Sequence, residues 1–370
     1  MTKKAFFIAS TGQNVGKTTI CLGLLSGLKK RNMKVGFFKP IGQEHVETET
    51  GLHVDKDVVL FREYFKLTDP YEEMSPVLFP KGFTRDYLDG KLEKKALIER
   101  IKTSFDKISH RHALTVVEGT GHVGVGSIVN LNNAQVAAHL DLPLILVASG
   151  GLGSAFDELA LNKTLCDTHN VKVAGIILNR VLSDKREMVI HYMKKALARW
   201  KLPLIGCIPF DPFLSNPSMK DFEILFDTTL LTGLEHRLRH FKHTRLVATS
   251  VEMYKDLIVK NQLIITPAKR EDIILATLTK HWDLKITSPD EDLKAGIILT
   301  GSIPPRESLV EQIKQAEIPM IYAPVSSYNA MKMITSFTAK IRKEDEEKVK
   351  EAIDIVESHI DFDTLLSVIS

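Results

Sequence analysis

The sequence has few of the residues that build disulfide frameworks or thiolate metal sites. Its 370 residues include only three cysteines. Cys21, Cys166 and Cys207 lie far apart and form no Cys-x-x-Cys pair. This pattern argues against a disulfide scaffold and a cysteine-based zinc site, and it favours a reducing compartment. Cys207 lies inside an apolar run, which favours a core position over a nucleophile.

Long apolar runs and an excess of one charge are also missing. No stretch approaches the ~18 apolar residues of a membrane helix, and the first apolar run, Ala5–Ala9, is too short for a signal peptide. Lys and Arg number 49 against 46 Asp and Glu, a balance that requires neither nucleic acid nor an anionic membrane. The cationic segment 236–245 is interpreted as a solvated helix between domains rather than an anion site. We therefore expect a cytoplasmic protein with no membrane or nucleic acid partner.

What the sequence does contain is a regular alternation of apolar runs and helical segments. The runs are nearly continuous in Val, Ile, Leu and Phe, as in strands that are buried on both faces. The first six are Ala5–Ser10, Lys34–Pro40, Leu114–Glu118, Leu142–Ser149, Val173–Asn179 and Leu204–Pro209. Between them, Thr18–Lys30, Phe156–Thr168 and Glu187–Leu197 have helical periodicity. This order predicts an α/β fold with a parallel sheet.

A proline-rich segment, 210–217, interrupts the alternation and predicts a domain boundary. Four more apolar runs follow it: Leu246–Thr249, Leu263–Thr266, Ala295–Thr300 and Met320–Ala323. We predict a first domain over residues 1–213 and a second, smaller α/β domain over 214–342. A C-terminal helix within 343–370 is expected to pack on the second domain.

The segment between the first strand and the first helix has the composition of a phosphate-binding loop. Small residues there allow backbone N–H groups to surround an anion, and the helix N-terminus adds positive potential. Lys17 is placed to reach the β- and γ-phosphates, and the Thr18 hydroxyl to bind magnesium. The candidate nucleotide contacts are Thr11, Gly12, Gln13, Asn14, Val15, Gly16, Lys17, Thr18 and Thr19.

Polar residues also occur where other strands end, at the edge at which open α/β sheets bind ligands. Glu118 is either a magnesium ligand or the start of a solvated loop. Asp55 and Asp57 precede an apolar helix, so each is either a helix cap or a second metal carboxylate. Lys39 is either a solvated strand end or a group that neutralises phosphate or carboxylate. Asn179 ends the fifth strand, where its amide could contact adenine.

These residues together resemble the dethiobiotin synthetase-like branch of P-loop proteins. The Gly16-Lys17-Thr18 loop, Lys39-Pro40, Glu118-Gly119-Thr120-Gly121 and Asn179 follow that family's order. The resemblance implies that Lys17 and Thr18 bind ATP and Mg²⁺ and that Asn179 meets adenine. It also implies a metal site of Thr18, Asp57 and Glu118. Lys39 would contact phosphate or substrate, which makes Lys17 and Lys39 the candidate catalytic residues. The family's first loop glycine corresponds to Ser10 here.

The second half resembles a DRTGG domain. The matching segments are 264–273 and 296–302, in which Ala268-Lys269-Arg270 and Thr300-Gly301-Ser302 replace the family's Gly-Asp-Arg and Thr-Gly-Gly. A dethiobiotin synthetase-like domain followed by a DRTGG domain is similar to the N-terminal, regulatory portion of long bacterial phosphate acetyltransferases. The resemblance stops where the acetyltransferase domain would begin, so we expect that catalytic domain to be absent.

Two functions follow from this resemblance. The first is a regulator that senses ATP, or a small-molecule effector through its DRTGG half, and acts as a homo-oligomer. The second is an ATP-dependent ligase acting on a small carboxylate or amine, and a weak ATPase activity fits either function. A partition-type ATPase is disfavoured because its additional loop lysine is missing at Thr11. A cobyrinic acid amidase is disfavoured because it would need a nucleophilic cysteine, whereas Cys207 is interpreted as a core residue.

Overall fold

The computed structural model describes residues 4–48 and 51–370. The chain forms two compact units. Unit 1 comprises residues 1–211 and 341–370, and unit 2 comprises residues 212–340. The predicted first domain started at Met1, so its first three residues lie outside the described part. Its end was predicted two residues after the division seen here.

The strands are β1 (Ala5–Ser10), β2 (Val35–Phe38), β3 (Ile41–Gly42), β4 (His45–Glu47), β5 (His53–Asp55), β6 (Val77–Leu78), β7 (Leu114–His122), β8 (Leu144–Ser149), β9 (Val173–Val181), β10 (Leu204–Pro209), β11 (Leu230–Thr232), β12 (His243–Leu246), β13 (Gln262–Pro267), β14 (Gly296–Thr300) and β15 (Met320–Ala323). The helices are α1 (Lys17–Lys30), α2 (Lys56–Tyr64), α3 (Tyr71–Met74), α4 (Phe83–Leu88), α5 (Lys94–Arg111), α6 (Asn133–Leu140), α7 (Gly153–Thr168), α8 (Arg186–Ala198), α9 (Pro212–Ser215), α10 (Met219–Phe226), α11 (Val251–Lys255), α12 (Glu271–Thr287), α13 (Glu307–Gln315), α14 (Ser327–Ser336), α15 (Glu346–Glu357) and α16 (Phe362–Val368).

Unit 1 is built on a six-stranded sheet in the order β10-β9-β8-β1-β7-β2. All five strand pairs are parallel, which confirms the predicted fold class. β1 lies between β7 and β8, and every residue of β1 is buried. Because parallel strands end at the same edge, the loop that follows β1 meets the carboxyl end of β7. The sheet thereby brings Ser10 beside His122.

The C-terminal helix lies in unit 1, so the prediction that it packs on the second domain was wrong. α15 packs along α1. The physical reason is that one face of α1 carries glycines, which leave room for the C-terminal segment. A Cβ at Gly23 would lie 2.4 Å from Val356, and one at Gly27 would lie 2.1 Å from Phe362. The two glycines therefore form a groove that the apolar face of the C-terminal segment fills.

Unit 2 has a five-stranded sheet in the order β11-β15-β14-β13-β12. Four strands are parallel and β11 pairs antiparallel with β15. One apolar cluster packs on each face of this sheet. The strand predicted at 246–249 lies three residues earlier, as β12. The helix predicted over 236–245 was wrong, because this segment is a short 3₁₀ turn (Leu234–His236), a loop and β12.

That segment is partly solvated, as expected, since Lys242, His243 and Thr244 are exposed, but some of its groups have partners within unit 2. Arg237 forms an ion pair with Glu223, and Arg239 Nη2 lies 2.8 Å from an Asp292 carboxylate oxygen. Phe241 is buried and packs on Gly296. Arg237 and Arg239 of this segment therefore form local ion pairs, whereas Lys242 and His243 are exposed.

Two further sequence predictions concern the cysteines and membrane helices. Cys207 is buried with the other two cysteines, and all three are free thiols, which confirms its assignment to the core. In the part of the chain that the structure describes, no helix combines the length and the apolar character needed to cross a bilayer.

Candidate functional site

The loop between β1 and α1 turns on Gly16. This residue has φ of +103° and is the N-cap of α1. A Cβ at Gly16 would lie 2.3 Å from Asn179 Nδ2, so both the backbone angle and the space select glycine. Gln13 and Asn14 are exposed at the tip of the loop, whereas Val15 is buried beneath it. The loop therefore presents its tip to solvent and anchors its base in the fold.

Lys17 opens α1 and points back under the loop. Its side chain is buried, and Nζ donates to Ser10 Oγ at 3.0 Å and to the Gly121 carbonyl at 2.6 Å. Burial lowers the pKa of Lys17 to about 8, because desolvation disfavours the charged ammonium. Both partners are neutral oxygens, so the lysine charge is available to an anion at the loop.

Thr18 and Glu118 meet at the junction of α1 and β7. Thr18 Oγ1 donates to Glu118 Oε1 at 2.9 Å. Glu118 is 1% exposed, and within the described residues its Oε2 has no hydrogen-bond partner. Burial raises the pKa of Glu118, as expected for a carboxyl removed from water. An unpartnered buried carboxylate oxygen is costly and indicates that a ligand or ion completes it.

Lys39 lies among three carboxylates at the end of β2. Its Nζ lies 3.2 Å from Glu118 Oε1 and 3.6 Å from Asp55 Oδ1, and it is hydrogen-bonded to Asp57 Oδ2. Burial alone would lower the pKa of Lys39, but the three carboxylates raise it well above the ordinary value. Lys39 is thus a buried cation rather than a solvated strand end.

The two aspartates have different positions in this cluster. Asp55 is the N-cap of α2, since its Oδ1 accepts the Asp57 backbone N–H at 3.0 Å, which confirms the cap interpretation. Burial raises the pKa of Asp55 to about 7. For Asp57 burial acts in the same direction, but the charge of Lys39 and its hydrogen bond outweigh it and hold the pKa below its ordinary value. Asp57 is therefore the more strongly anionic of the two.

The oxygen-rich side chains here suit a hard divalent cation. Glu118 contacts the Thr18 hydroxyl directly and Asp57 through their shared partner Lys39, and within the described residues Glu118 Oε2 has no hydrogen-bond partner. Across the described residues, no group of three or more His, Cys, Asp or Glu side chains is arranged to hold a metal ion alone. Mg²⁺ commonly takes only one or two protein carboxylates and completes its shell with phosphate and water. The donor set fits Mg²⁺ bound together with a nucleotide.

Asn179 supports the loop from below. Its Nδ2 donates to the Val15 carbonyl at 2.8 Å, and the side chain is buried at the end of β9. This contact was not predicted from the sequence, because it depends on β9 and the loop being neighbours across β8. The predicted contact between Asn179 and adenine remains a prediction.

Other residues that hold the site in place were not predicted from the sequence. Thr11 Oγ1 donates to Glu158 Oε2 at 2.8 Å, and Asn162 Nδ2 donates to the Thr11 carbonyl at 3.2 Å. Both partners lie on α7, one helical turn apart, a spacing that could have indicated a shared face. At the end of β7, Asn133 accepts from the Thr120 N–H at 3.0 Å and donates to the Thr120 carbonyl at 2.8 Å.

Of the remaining candidates, Gly12 lies half-buried in the loop and Thr19 half-buried in the first turn of α1. The structure thus brings the loop residues 11–19, Lys39, Asp57, Glu118 and Asn179 to one edge of one sheet. His122 hydrogen-bonds within its own loop, since its Nδ1 accepts the Gly124 N–H at 3.1 Å.

Comparison with known proteins agrees with this architecture. Residues 4–218 match the family model described as AAA domain, and residues 225–337 match the DRTGG domain. A phosphate acetyltransferase of Pseudomonas putida is 28% identical over 97% of this chain and 51% of its own length. This chain thus spans about half the length of that relative.

Two further matches concern unit 1. The ATP-dependent dethiobiotin synthetase of Bacillus subtilis subsp. natto is 29% identical over 56% of this chain and 87% of its own. The MinD cell division protein of Aquifex aeolicus is 16% identical, with a TM-score of 0.37 over 57% of this chain and 84% of that one. The chain belongs to the AAA domain family, and a DRTGG domain follows in its second unit.

Proposed function

We propose that this protein binds Mg-ATP at the carboxyl edge of the unit 1 sheet. It acts as a regulatory or metabolite-sensing protein, in the manner of the N-terminal part of a phosphate acetyltransferase. The single observation that carries the proposal is the loop around Gly16 and Lys17, which places a buried ammonium beside Thr18 and Glu118. That combination neutralises phosphate and holds a divalent cation, and no purely structural role calls for it.

Each group at the edge has a defined part in this binding. The backbone N–H groups of residues 11–19 and the Lys17 ammonium neutralise the phosphates. Thr18, Asp57 and Glu118 hold Mg²⁺, which when bound offsets the charge of the β- and γ-phosphates. Asn179 supports the loop from below through Val15.

The first test removes the ammonium. Lys17→Ala should abolish Mg-ATP binding in calorimetry, because it removes the buried ammonium that Ser10 and the Gly121 carbonyl hold under the loop. The matched control is Lys194→Ala, an exposed lysine on α8, which should bind as the wild type does. Circular dichroism melting verifies that both variants are folded. Unchanged affinity in a folded Lys17→Ala variant would refute the site.

A second function is favoured by the position of Lys39. A cation beside the loop can hold a carboxylate or carbamate for phosphorylation, and dethiobiotin synthetase is among the relatives of unit 1. Under this alternative the protein is an ATP-dependent ligase for a small carboxylate or amine. Incubation with Mg-ATP and a panel of carboxylates and diamines separates the two functions. Substrate-dependent ADP release at roughly 1 per second or faster favours the ligase, since that is an ordinary enzyme rate.

The regulatory function also involves partners. A small-molecule effector binds unit 2, and the protein acts as a homo-oligomer. A screen of metabolites for a rise in melting temperature tests the effector, because a ligand that binds the native state stabilises it. Sedimentation equilibrium tests the oligomeric state; a monomer at all concentrations would remove that part of the proposal.

A further inference from the structure

The carboxylates of the site share one ammonium. Lys39 Nζ contacts Asp57 and Glu118 directly and lies 3.6 Å from Asp55 Oδ1. The exposed side-chain fractions are 6% for Lys39, 2% for Asp55, 14% for Asp57 and 1% for Glu118. Buried carboxylates without a counter-ion are strongly destabilising. A cation is therefore needed at this position whether or not a ligand is bound.

The other nearby lysines do not supply that cation. Lys17 Nζ is bonded to Ser10 and to the Gly121 carbonyl, and Lys56 forms its ion pair with Glu44 at the rim. Lys39 is the ammonium within 4.0 Å of Asp57 and Glu118 among the described residues. These same two carboxylates are the protein's candidate ligands for a divalent ion.

We infer that Lys39 is the resident cation of this carboxylate cluster and competes with the divalent ion for Asp57 and Glu118. A divalent ion alone must displace an ammonium that is already well bonded, so it binds weakly. When nucleotide binds, its phosphates offer Lys39 another anionic partner and free the carboxylates for the ion. Divalent-ion binding thereby depends on nucleotide, and one side chain couples the two. This inference rests on the proposed function.

A second observation separates this arrangement from an ordinary buried salt bridge. Glu118 Oε2 is buried and has no hydrogen-bond partner within the described residues. In a salt bridge built only for stability both carboxylate oxygens would be satisfied. The cluster therefore keeps one oxygen unbonded while Lys39 occupies the other.

The test measures binding of Mn²⁺, as a spectroscopic substitute for Mg²⁺, without nucleotide. Electron paramagnetic resonance of free Mn²⁺ gives the affinity of the full chain and of Lys39→Met, which keeps a similar length without charge. We expect Lys39→Met to bind Mn²⁺ at least about tenfold more tightly than the wild type, since it removes a unit positive charge at contact distance. Equal or weaker binding by a folded Lys39→Met variant would overturn the inference.

The matched control is Lys56→Met. It also removes one positive charge near Asp57, but from a lysine paired with Glu44. We expect it to change Mn²⁺ affinity by less than about threefold, because the carboxylate of Glu44 already offsets that charge. An equal gain in both variants would show a general charge effect and would also overturn the inference.

Lys39→Met leaves three acidic groups together and risks unfolding. The double variant Lys39→Met/Asp55→Asn removes one of them while retaining a good N-cap for α2, because asparagine caps helices as well as aspartate does. It should still bind Mn²⁺ more tightly than the wild type, though less tightly than Lys39→Met because a carboxylate charge is also removed, and melting curves verify the fold. If the wild-type protein binds Mg-ATP but neither variant gains Mn²⁺ affinity, the inference about Lys39 is refuted and the proposed function stands. Wild-type protein that fails to bind Mg-ATP refutes the proposed function, and the Mn²⁺ result still reports on Lys39.

Discussion

The carboxyl ends of the strands bury charged side chains in unit 1, whereas the polar side chains buried there in unit 2 carry hydroxyl groups. In unit 1, Lys17, Lys39 and Glu118 are buried at that edge. At the corresponding edge of unit 2, Thr300 Oγ1 and Ser327 Oγ lie 2.6 Å apart, and the Tyr322 hydroxyl donates to the Gly301 carbonyl at 2.7 Å. Both sheets are largely parallel, so their topology does not account for the difference.

The difference teaches what the charges of unit 1 are for. Unit 2 shows that the buried part of such a sheet edge can consist of neutral groups, because the charged residues that follow β13, Arg270 and Asp272, pair with each other while partly exposed. Buried ions seldom add net stability over neutral groups of similar volume. The charged edge of unit 1 is therefore better explained by a highly charged ligand, as the proposed Mg-ATP would be.

The largest expected difference between the two units is in the effect of replacing one glycine in each, Gly16 and Gly301, by alanine. Gly16 and Gly301 have φ of +103° and +107°, but a Cβ would meet Asn179 Nδ2 at 2.3 Å in the first case and nothing within 4 Å in the second. Gly301→Ala should cost about 1 kcal/mol of unfolding free energy, from backbone strain alone. Gly16→Ala should cost about 2–4 kcal/mol through added overpacking and weaken Mg-ATP binding roughly a hundredfold.

Denaturant unfolding and calorimetry measure the two variants side by side. The double variant Gly16→Ala/Asn179→Ala should regain the steric part of the loss, because the side chain in the way is removed. If Gly301→Ala proved as costly as Gly16→Ala, the close approach of Asn179 would not be what constrains the loop.

A smaller effect is expected from hydrogen bonds that hold each edge. Asn179→Ala removes the donor to the Val15 carbonyl, which should cost about 1–3 kcal/mol of unfolding free energy and weaken Mg-ATP binding roughly tenfold. Thr300→Val removes the hydroxyl contact with Ser327 in unit 2 and should cost about 1 kcal/mol without changing Mg-ATP affinity. Calorimetry at one temperature compares the Mg-ATP affinities of the two variants. A change in Mg-ATP affinity in Thr300→Val would contradict the assignment of the site to unit 1.

Much of the fold of unit 1 could be predicted from local sequence. The apolar runs are nearly continuous, so composition alone predicted strands buried on both faces, as β1 and β8 are. Parallel strands end at one edge, so the convergence of the loop, Lys39 and Glu118 also followed from the pattern. Asp55 was predicted as a cap or a ligand, and the structure shows the cap.

The rest depended on contacts between distant segments. Small residues at Gly23 and Gly27 receive Val356 and Phe362, and no periodicity in the C-terminal helix reveals which surface it will meet. Likewise, three carboxylates converge on Lys39 from β5, α2 and β7, which requires the sheet order to be known. Local patterns predict the elements, whereas contacts between different elements decide how a site is connected.

The smallest effect concerns pH and sharpens the role of the buried lysine. The pKa of Lys17 is lowered to about 8 because burial disfavours its charge. Below that pH the ammonium is present, and as pH rises through 8 it is lost, so Mg-ATP affinity should fall roughly fourfold between pH 7 and 8.5. Binding at pH 8.5 should also take up protons, which calorimetry in two buffers of different ionisation enthalpy detects.

The lowered pKa of Lys17 affects stability in the opposite direction: affinity falls with rising pH, whereas the free energy of unfolding should rise. The folded pKa of Lys17 lies below the unfolded value of 10.5, so the cost of burying its charge is fully present below about pH 8. That cost is relieved between about pH 8 and 10.5, and the contribution of Lys17 to the free energy of unfolding should rise across this window. Lys17→Arg stays charged throughout and should remove both the fall in affinity and this rise. A fall in affinity that persisted in Lys17→Arg would assign the titration to another group.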